Sequence, residues 1–458
     1  MSEAPNVLIV LSDQHRAMAT SLDGNETVHT PTMERLAAEG VHCPHAYANS
    51  PICTPSRGTI LTGQYPHRHG AVTNDVQMDT NVRTIGDAFA DAGYESAWIG
   101  KWHLDGVPRD KYTPPGPRRH GFDHWVTYNC HVDFFNGHYY VGEDDEKRRF
   151  DAYEPVALTD LALEFLAEQR DNDRPFFLVV SPHPPHAPYE DVPERYKTHY
   201  DADAIDVPPN VPEEERSEWA ASLADYYAHV TAVDEQLGRL VKWVDDEGER
   251  QHTFVCYTSD HGDMFGAHGY WGKSQPYEES VNVPLVCRYP ARLPAGDTYS
   301  GLVSLVDLAP TLCSLADVED LPNAQGTDLS EVISAQTDES APESVFLCYP
   351  IPTDNGARQD IPAWRAIRTA QYTYARTMDG EPWLCFDNEA DPCQQTNLVD
   401  SPDATPLNHR LDAELDRWIQ RSGDPAGDAP AYLRATDSVG AWNRRERHMH
   451  PDAPALLD

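Results

Sequence analysis

The chain of 458 residues carries 75 acidic and 35 basic side chains, which gives a formal net charge of −40. An acidic field of this strength repels nucleic acids and anionic membrane surfaces, so we expect neither as a partner. The nine cysteines are odd in number and include no C-x-x-C pair, so neither a disulfide framework nor a zinc knuckle is indicated.

Two expectations about the surroundings of the protein follow from its composition. An acidic surface that is poor in lysine suits high salt, where counter-ions screen like charges, so we predict a salt-loving source. The N-terminus lacks basic residues, the apolar run Val7–Leu11 is too short for a signal peptide, and no stretch approaches the length of a membrane span. We therefore predict a cytoplasmic protein.

Short apolar runs predict strands that are buried on both faces of a parallel sheet. In chain order these runs are Val7–Leu11, Ala97–Ile99, Phe176–Val180 and Thr253–Tyr257, and a later strand at Leu285–Tyr289 extends the pattern. Helical spacing occurs between them, at Pro31–Glu39 with Thr30 as its N-cap, Thr159–Arg170, Trp219–Asp246 and Asp307–Leu315. The alternation predicts an α/β fold with a mostly parallel central sheet between layers of helices.

The pattern changes after about Ser340. Four short runs separated by turn residues predict a small antiparallel sheet, at Val345–Tyr349, Trp364–Arg368, Tyr372–Arg376 and Trp383–Phe386. A helix at about Leu407–Arg421 follows, and the Pro-, Gly- and Asp-rich end beyond Ser422 is expected to be irregular. We predict a large α/β domain over residues 1–340 and a C-terminal α+β subdomain over residues 341–458.

Charged or metal-binding side chains follow four of the predicted strands. Ligands of open α/β sheets bind outside the carboxyl ends of the strands, so these side chains are candidates for one shared site. They are Asp13 and Gln14, Lys101 and His103, His183 and His186, and Asp260 and His261. Each one alone has an ordinary structural explanation, such as a helix cap or a core hydrogen bond. Together, the oxygen-dominated set of Asp13, Gln14, Asp260 and His261 favours Ca²⁺, Mg²⁺ or Mn²⁺ over zinc.

Two of the six lysines, Lys101 and Lys273, fall in glycine-flanked polar turns, IGKWHL and HGYWGKSQ. An ammonium at a strand end can hold an anion, which makes both lysines candidate anion ligands.

The stretch CTPSRGTILTG predicts a helix that begins near Pro55 and stops near Gly63. Arg57 lies one turn along from Cys53, and the helix N-terminus favours an anion. A polar sulfur, an anion-binding helix end and a guanidinium therefore converge. The alternative is a loop cysteine before a short helix.

Six segments of the chain follow one another in an order that resembles the formylglycine-dependent sulfatases of the alkaline phosphatase superfamily. They are LSDQ, CTPSRGTILTG, GKWHL, PHAPY, SDHGD and GKSQPYEES. The segment Arg365–Leu398 is similar to the C-terminal subdomain of that family. The resemblance implies hydrolysis of a sulfate ester, on a small molecule or a saccharide, to inorganic sulfate and an alcohol.

The resemblance also implies that a formylglycine-generating system oxidises Cys53 to formylglycine. One hydroxyl of the hydrated aldehyde would attack sulfur, and the other would expel sulfate by re-forming the aldehyde. The implied ligands of a divalent metal, with Ca²⁺ expected and Mg²⁺ or Mn²⁺ as alternatives, are Asp13, Gln14, modified Cys53, Asp260 and His261. The metal would acidify the attacking hydroxyl and neutralise sulfate oxygens.

The remaining implied roles concern the substrate. Arg57 would act on the hydrated aldehyde, and Lys101 and Lys273 would bind the sulfate group. His103 would accept the proton of the second hydroxyl during sulfate release.

The leaving alcohol has two candidate proton donors. His186 would contact the sulfate or the bridging oxygen, and either His186 or Lys273 would protonate the alcohol. His183 is the alternative to His186, because the tandem prolines between them allow a shifted register.

Asp13-Gln14 departs from the two successive aspartates of many relatives. The same Asp-Gln pair occurs in relatives that hydrolyse phosphonate monoesters and phosphodiesters, which is the alternative activity. A non-catalytic binding protein would be expected to lack Arg57, Lys101 or Asp260, all of which are present. A redox role for the thiol predicts a second cysteine close in sequence, and there is none.

Overall fold

The computed structural model describes residues 4–170, 172–335, 341–425, 427–451 and 457. Its largest element is a ten-stranded sheet, with the strands in the spatial order Asp297–Thr298, Val41–His42, Leu285–Arg288, Thr253–Ser259, Asn6–Ser12, Phe176–Ser181, Glu95–Lys101, His124–Tyr128, His138–Val141 and Asp144–Arg149. The five central strands, from Thr253–Ser259 to His124–Tyr128, are parallel. Four of them are the predicted ones, and His124–Tyr128 was not predicted. Leu285–Arg288 extends the sheet by antiparallel pairing.

Each central strand is buried on both faces, because alternate side chains point to opposite sides of the sheet. Leu8 and Val10 join one apolar cluster, whereas Val7 and Ile9 join another. The first cluster is covered by the helices Pro31–Glu39, Glu154–Gln169 and Arg216–Asp246. The second is covered by the helices Cys53–Thr62, Ile85–Asp91, Leu308–Leu315 and Ser330–Ala335. The expected helical layers on both faces are confirmed.

Two of these helices begin earlier than the apolar spacing predicts. The helix expected at Thr159 begins at Glu154 and has a proline in its first turn, and the helix expected at Trp219 begins at Arg216. Proline and charged residues are common in the first turn of a helix, but a prediction from apolar spacing cannot detect them. Shorter helices lie at Pro66–His69, Glu194–Lys197, Glu278–Val281 and Asp354–Arg358. Among the described residues, no helix has the length and apolarity that crossing a bilayer requires.

The helix that begins at Pro31 is capped by a side chain distant in sequence. Thr30 occupies the predicted N-cap position, but its hydroxyl does not cap the helix and instead accepts a hydrogen bond from the N–H of Ser21 at 3.0 Å. The N–H groups of Thr32 and Met33 donate to the carboxylate of Asp234, each at 2.9 Å. Since Asp234 lies on the long helix alongside, the cap also joins two helices.

The C-terminal region contains the predicted antiparallel sheet and helix. Its four strands are Ser344–Tyr349, Trp364–Thr369, Tyr372–Thr377 and Pro382–Asp387. The helix Thr405–Ser422 packs Leu411 and Leu415 against Phe346 and Ile367 of this sheet. A third, small sheet joins the strands Asn282–Val283, Ala46–Tyr47 and Val303–Ser304. The predicted domain boundary after residue 340 adjoins 336–340, which lie outside the described residues, and it stays a prediction.

The tail that was expected to be irregular contains two helices, Ala429–Ala435 and Val439–Met449, so this expectation is wrong. Tyr432 and Leu433 are buried in a cluster with Val72 of the large domain. These two helices contain too few apolar residues to show a clear helical period in the sequence. Packing of the helices against the large domain stabilises them instead.

Replacing Asp234 by alanine is expected to lower the free energy of unfolding by about 2 kcal/mol, because two N–H groups of the first helical turn lose their acceptor. The control is Asp246→Ala, which removes an exposed carboxylate from the same helix and should change stability by less than about 0.5 kcal/mol. Urea denaturation of both variants measures the difference. Equal effects would show that Asp234 does not act as a cap.

Candidate active site

The candidate side chains at the strand ends meet at one edge of the main sheet. Asp13, Lys101 and the pair Asp260-His261 end or follow strands that lie within a run of four adjacent strands of the sheet. One ligand atom from each of Asp13, Cys53, Asp260 and His261 lies within 4.8 Å of the others. The predicted convergence of these residues is therefore present in the structure.

Cys53 opens a helix that is buried along its whole length, Cys53–Thr62, and that ends at Gly63 with a left-handed φ of 63°. The cysteine itself is only 2% exposed. Its Sγ atom lies 3.0 Å from Nζ of Lys273, 3.4 Å from Nε2 of His261, 3.6 Å from Nζ of Lys101 and 3.8 Å from Oδ1 of Asp13.

The surroundings of Cys53 stabilise negative charge. Burial and the Asp13 carboxylate disfavour a thiolate, but the ammonium groups of Lys101 and Lys273 outweigh both and lower the pKa of the thiol well below its usual value. A nucleophilic atom at this position is therefore activated by its electrostatic environment.

The ammonium of Lys273 marks a point at which cation ligands converge. Its Nζ atom lies 2.9 Å from Oε1 of Gln14, 3.0 Å from Nε2 of His261 and 3.9 Å from Oδ1 of Asp13. The other ring nitrogen of His261, Nδ1, is 3.0 Å from the carbonyl oxygen of Gly262, which orients Nε2 towards the cluster. The donor set is rich in oxygen and partly anionic, so these residues fit a hard divalent cation.

Gln14 is held in place by two side chains that sequence analysis missed. Its Nε2 donates to the carboxylate of Asp263 and, at 3.4 Å, to the hydroxyl of Tyr189, which leaves Oε1 facing the cluster. The backbone of Gln14 has a left-handed φ of 69°, and its N–H donates to Oδ1 of Asp260 at 3.2 Å. Asp263 lies within the SDHGD segment, which was its only sequence signal.

The guanidinium of Arg57 donates hydrogen bonds to residues at the ends of four strands. Its Nε donates to Asp260 at 2.9 Å, and one Nη donates to Asp13 at 3.3 Å. The other Nη donates to the carbonyl of Lys101 at 3.0 Å and to the hydroxyl of Ser181 at 2.9 Å. The guanidinium is fully buried, so these contacts replace its hydration. The side chain thereby fixes the two carboxylates relative to each other.

Lys101 depends on the glycine before it. Gly100 has a φ of 114°, and a Cβ there would lie 2.2 Å from the carbonyl oxygen of Ser181 on the adjacent strand, so only glycine fits. The Lys101 ammonium binds Oδ2 of Asp13 and lies 3.1 Å from Nε2 of His183. Burial alone would lower the pKa of Lys101, but Asp13 raises it, so the ammonium stays charged.

His103 is oriented by an acidic residue for which the sequence gave no signal. Its Nε2 lies 3.2 Å from Oδ1 of Asp75, and Arg109 donates two hydrogen bonds of 2.7 Å to the same carboxylate. Burial lowers the pKa of His103, but contacts with Cys130, Asp75 and Cys53 raise it to about 10. The other ring nitrogen, Nδ1, is buried and makes no hydrogen bond within the described part of the chain.

Both histidines of the HPPH segment reach the site. One ring nitrogen of each lies within 4.8 Å of a carboxylate oxygen of Asp13. Burial, with help from Lys101, lowers the pKa of His183, and burial with help from Lys273 lowers that of His186 to about 3. His183 is fully buried against Lys101, whereas His186 lines the cavity that leads into the site. The choice between the two stays open.

Glu154 supports His183 from behind, and sequence analysis missed it. The N–H of His183 donates to Oε1 of Glu154 at 2.8 Å, and the hydroxyl of Tyr128 donates to the same oxygen. Burial raises the pKa of Glu154 to about 7.

A cavity of about 310 Å³ leads to the cluster and is lined by Gln14, His186 and Lys273 on its inner side. Its outer wall comes from the C-terminal region, including the helix Asp354–Arg358 and Arg445. Arg445 donates to the carbonyl of Asn74 at 3.0 Å, and Oδ1 of Asn74 accepts the N–H of Thr54 at 3.0 Å. The last helix of the chain is thus connected to the residue after Cys53.

All ten candidate residues lie at this edge of the sheet, namely Asp13, Gln14, Cys53, Arg57, Lys101, His103, His186, Asp260, His261 and Lys273. Their individual catalytic and metal-binding roles stay predictions.

Comparison with known protein families places this site in context. The Sulfatase family model matches residues 5–318, and a model described as N-sulphoglucosamine sulphohydrolase, C-terminal, matches residues 266–421. The chain is 36% identical over 443 residues to an ulvan-active sulfatase of Formosa agariphila, covering 96% of this chain and 86% of the relative. It is 28% identical to an N-acetylglucosamine-6-O-sulfatase of Bacteroides thetaiotaomicron, covering 87% of this chain and 83% of that protein.

Solved structures give the same result. The chain superposes on a yidJ sulfatase candidate of Bacteroides fragilis with a TM-score of 0.84 and 30% identity, covering 95% of this chain and 98% of the other. A protein solved in complex with its substrate D-glucosamine-2-N,6-O-disulfate superposes with a TM-score of 0.80 and 25% identity, covering 92% of this chain and 98% of the other. The chain therefore belongs to the sulfatase family and is a sulfuric ester hydrolase.

Proposed function

We propose that this sulfatase acts on a sulfated saccharide and uses a formylglycine formed from Cys53. The saccharide is supported by the substrates that the names of two relatives give, ulvan and N-acetylglucosamine-6-O-sulfate. The observation that carries the catalytic assignment is the position of Cys53, whose sulfur lies against two ammonium groups, a carboxylate and an imidazole.

Formylglycine, when present, supplies a geminal diol whose one hydroxyl attacks the sulfur of the ester and whose other hydroxyl expels sulfate. The Sγ atom of Cys53 stands in for the attacking oxygen. Lys101 and Lys273 flank this atom at 3.6 and 3.0 Å, so they are the proposed ligands of the sulfate oxygens, where negative charge increases during the reaction.

A divalent cation, proposed to be Ca²⁺, would be held by Asp13, Gln14, Asp260 and His261 together with an oxygen of modified Cys53. Such an ion supplies Lewis acidity and lowers the pKa of a bound hydroxyl. Arg57 contributes by fixing the Asp13 and Asp260 carboxylates in one orientation. Because Arg57 makes all its described hydrogen bonds to strand ends, we propose that it positions the metal ligands rather than the aldehyde.

Histidines are the main proposed proton-transfer groups. Asp75 accepts a hydrogen bond at Nε2 of His103, so Nδ1 of His103 is the proposed acceptor for the proton released when sulfate departs. Cys53 contributes to the raised pKa of His103, and its conversion to formylglycine would remove that contribution, which favours the neutral imidazole that an acceptor requires. His186 lies on the cavity side of the site, which makes it a proposed donor to the leaving alcohol, with Lys273 or His183 as alternatives. Burial and Lys273 lower the pKa of His186 to about 3, so His186 could carry the proton only while the anionic sulfate offsets the charge of Lys273.

A second candidate activity is hydrolysis of phosphonate monoesters or phosphodiesters at the same site. Gln14 favours it, because the family resemblance associates an Asp-Gln pair at this position with hydrolysis of phosphonate monoesters and phosphodiesters. The solved phosphonate monoester hydrolase of Agrobacterium radiobacter shares the fold, with a TM-score of 0.76 at 21% identity. The salt-loving source and the cytoplasmic location also stay predictions from composition.

Conversion of Cys53 is testable by mass. In protein coproduced with a formylglycine-generating system, the peptide that contains Cys53 should lose about 18 Da, the difference between the thiol and the aldehyde. Cys53→Ala should abolish sulfatase activity, whereas Cys393→Ala, at a cysteine remote from the site, should keep it. Full activity in protein whose Cys53 is unmodified would contradict the proposed nucleophile.

Metal binding is testable by elemental analysis and thermal unfolding. The purified protein should retain one divalent ion per chain, and Ca²⁺ at 100 times its Kd should stabilise it by about 2.7 kcal/mol. Asp260→Asn and His261→Ala should lose the ion and the calcium-dependent rise in Tm. The control Asp379→Asn, at an exposed turn, should retain both. If the two site variants keep the ion, the assigned ligand set is wrong.

Initial rates on paired aryl esters separate the two activities. We expect kcat/KM for an aryl sulfate to exceed that for the matched aryl phosphonate monoester by more than about tenfold. Cys53→Ala should remove both activities if one site performs both. A higher value for the phosphonate would replace the sulfatase assignment for this chain by the alternative.

A further inference from the structure

The cavity that leads to Lys273 is lined by more cationic than anionic side chains, although the protein as a whole is strongly acidic. Four cationic side chains line it, Arg109, Lys273, Arg358 and Arg445, against two carboxylates, Asp75 and Asp354. In a chain with a net charge of −40, an excess of cations at this place is unexpected from composition alone. The cavity therefore attracts anions that the rest of the surface repels.

Three of the four cations already have partners. Arg109 binds Asp75 through two hydrogen bonds of 2.7 Å, and Arg445 pairs with Asp354 at 3.4 Å. Lys273 is part of the cluster around Cys53. Arg358 is exposed, and within the described part of the chain its guanidinium has no hydrogen bond, ion pair or aromatic ring contact. Its five N–H donors therefore have no acceptor among the described residues and are open to a ligand in the cavity.

An exposed aromatic side chain, Trp271, lines the same cavity. Trp271 is 39% exposed and is one of three large apolar side chains of the described residues with such exposure. The N–H of Trp271 donates to Oε1 of Gln359 at 2.8 Å, and Nε2 of Gln359 donates to the carbonyl of Trp271 at 3.1 Å. Since Gln359 follows Arg358 in the chain, the two hydrogen bonds hold the backbone at Trp271 close to the segment that carries Arg358.

An exposed indole beside a free guanidinium suits one ring of an acidic saccharide. The flat indole packs against the apolar face of a sugar ring, and the planar guanidinium binds a carboxylate or sulfate through two parallel hydrogen bonds. Resting on the proposed saccharide activity, we propose that Arg358 and Trp271 form a subsite for a second anionic group, a carboxylate or a sulfate, carried by the saccharide whose scissile sulfate lies at Lys101 and Lys273.

The test compares kcat/KM on four substrates: an aryl sulfate, a monosulfated neutral disaccharide, a monosulfated disaccharide that contains a uronate, and a disulfated disaccharide. The wild-type protein should prefer at least one of the last two over the neutral disaccharide. In Arg358→Gln this preference should fall about tenfold, mainly through KM, since a charge-assisted hydrogen bond is lost. Arg358→Lys should recover part of it, and the exposed control Arg434→Gln should preserve it.

The outcomes are distinct from those that test the proposed function. A wild-type protein that hydrolyses no sulfate ester refutes the sulfatase assignment itself. If the wild-type protein cleaves the aryl sulfate but shows no preference for either acidic disaccharide, the subsite is overturned. It is also overturned if Arg358→Gln slows all four substrates equally, because that is the result of a structural role. Preference for the uronate over the disulfated compound, or the reverse, identifies the second anion.

Discussion

The buried guanidinium of Arg57 is the contact on which the active-site end of the sheet depends. It joins the ends of four parallel strands through Asp13, Lys101, Ser181 and Asp260. Two carboxylates placed side by side in the interior repel each other, and burial with the Asp13 charge raises the pKa of Asp260. Loss of one partner from such a buried ion cluster typically costs about 3–5 kcal/mol. Arg57, which bonds to both carboxylates, therefore helps the ligands of the proposed cation to lie close together.

The same balance explains how charge is distributed in the molecule. Arg57 and Lys101 are buried and Lys273 is 13% exposed, although most of the acidic excess lies on the surface. Buried cations neutralise the carboxylates of Asp13 and Asp260 and leave a region that favours an oxyanion. A chain with only six lysines places two of them in this region. The net charge of this protein thus reflects its acidic surface, whereas the side chains around Cys53 create a positive electrostatic potential.

The sequence predicted the central strands, the helices on both faces and the residues that meet at the strand ends. It could do so because apolar period and strand-end position are local signals. Asp75 and Glu154 could not be predicted in the same way, since each contacts its histidine, His103 or His183, across 28 or 29 residues of the chain. The Asp234 cap spans about two hundred residues, and no local pattern indicates it.

Burial of Cys53 has a consequence for the order of events during synthesis. The thiol opens a helix with no exposed residue, and the last helix of the chain secures the neighbouring Thr54 through Arg445 and Asn74. An enzyme cannot grip a peptide that is enclosed on all sides, so any maturation of Cys53 has to be complete before the folded chain closes over it.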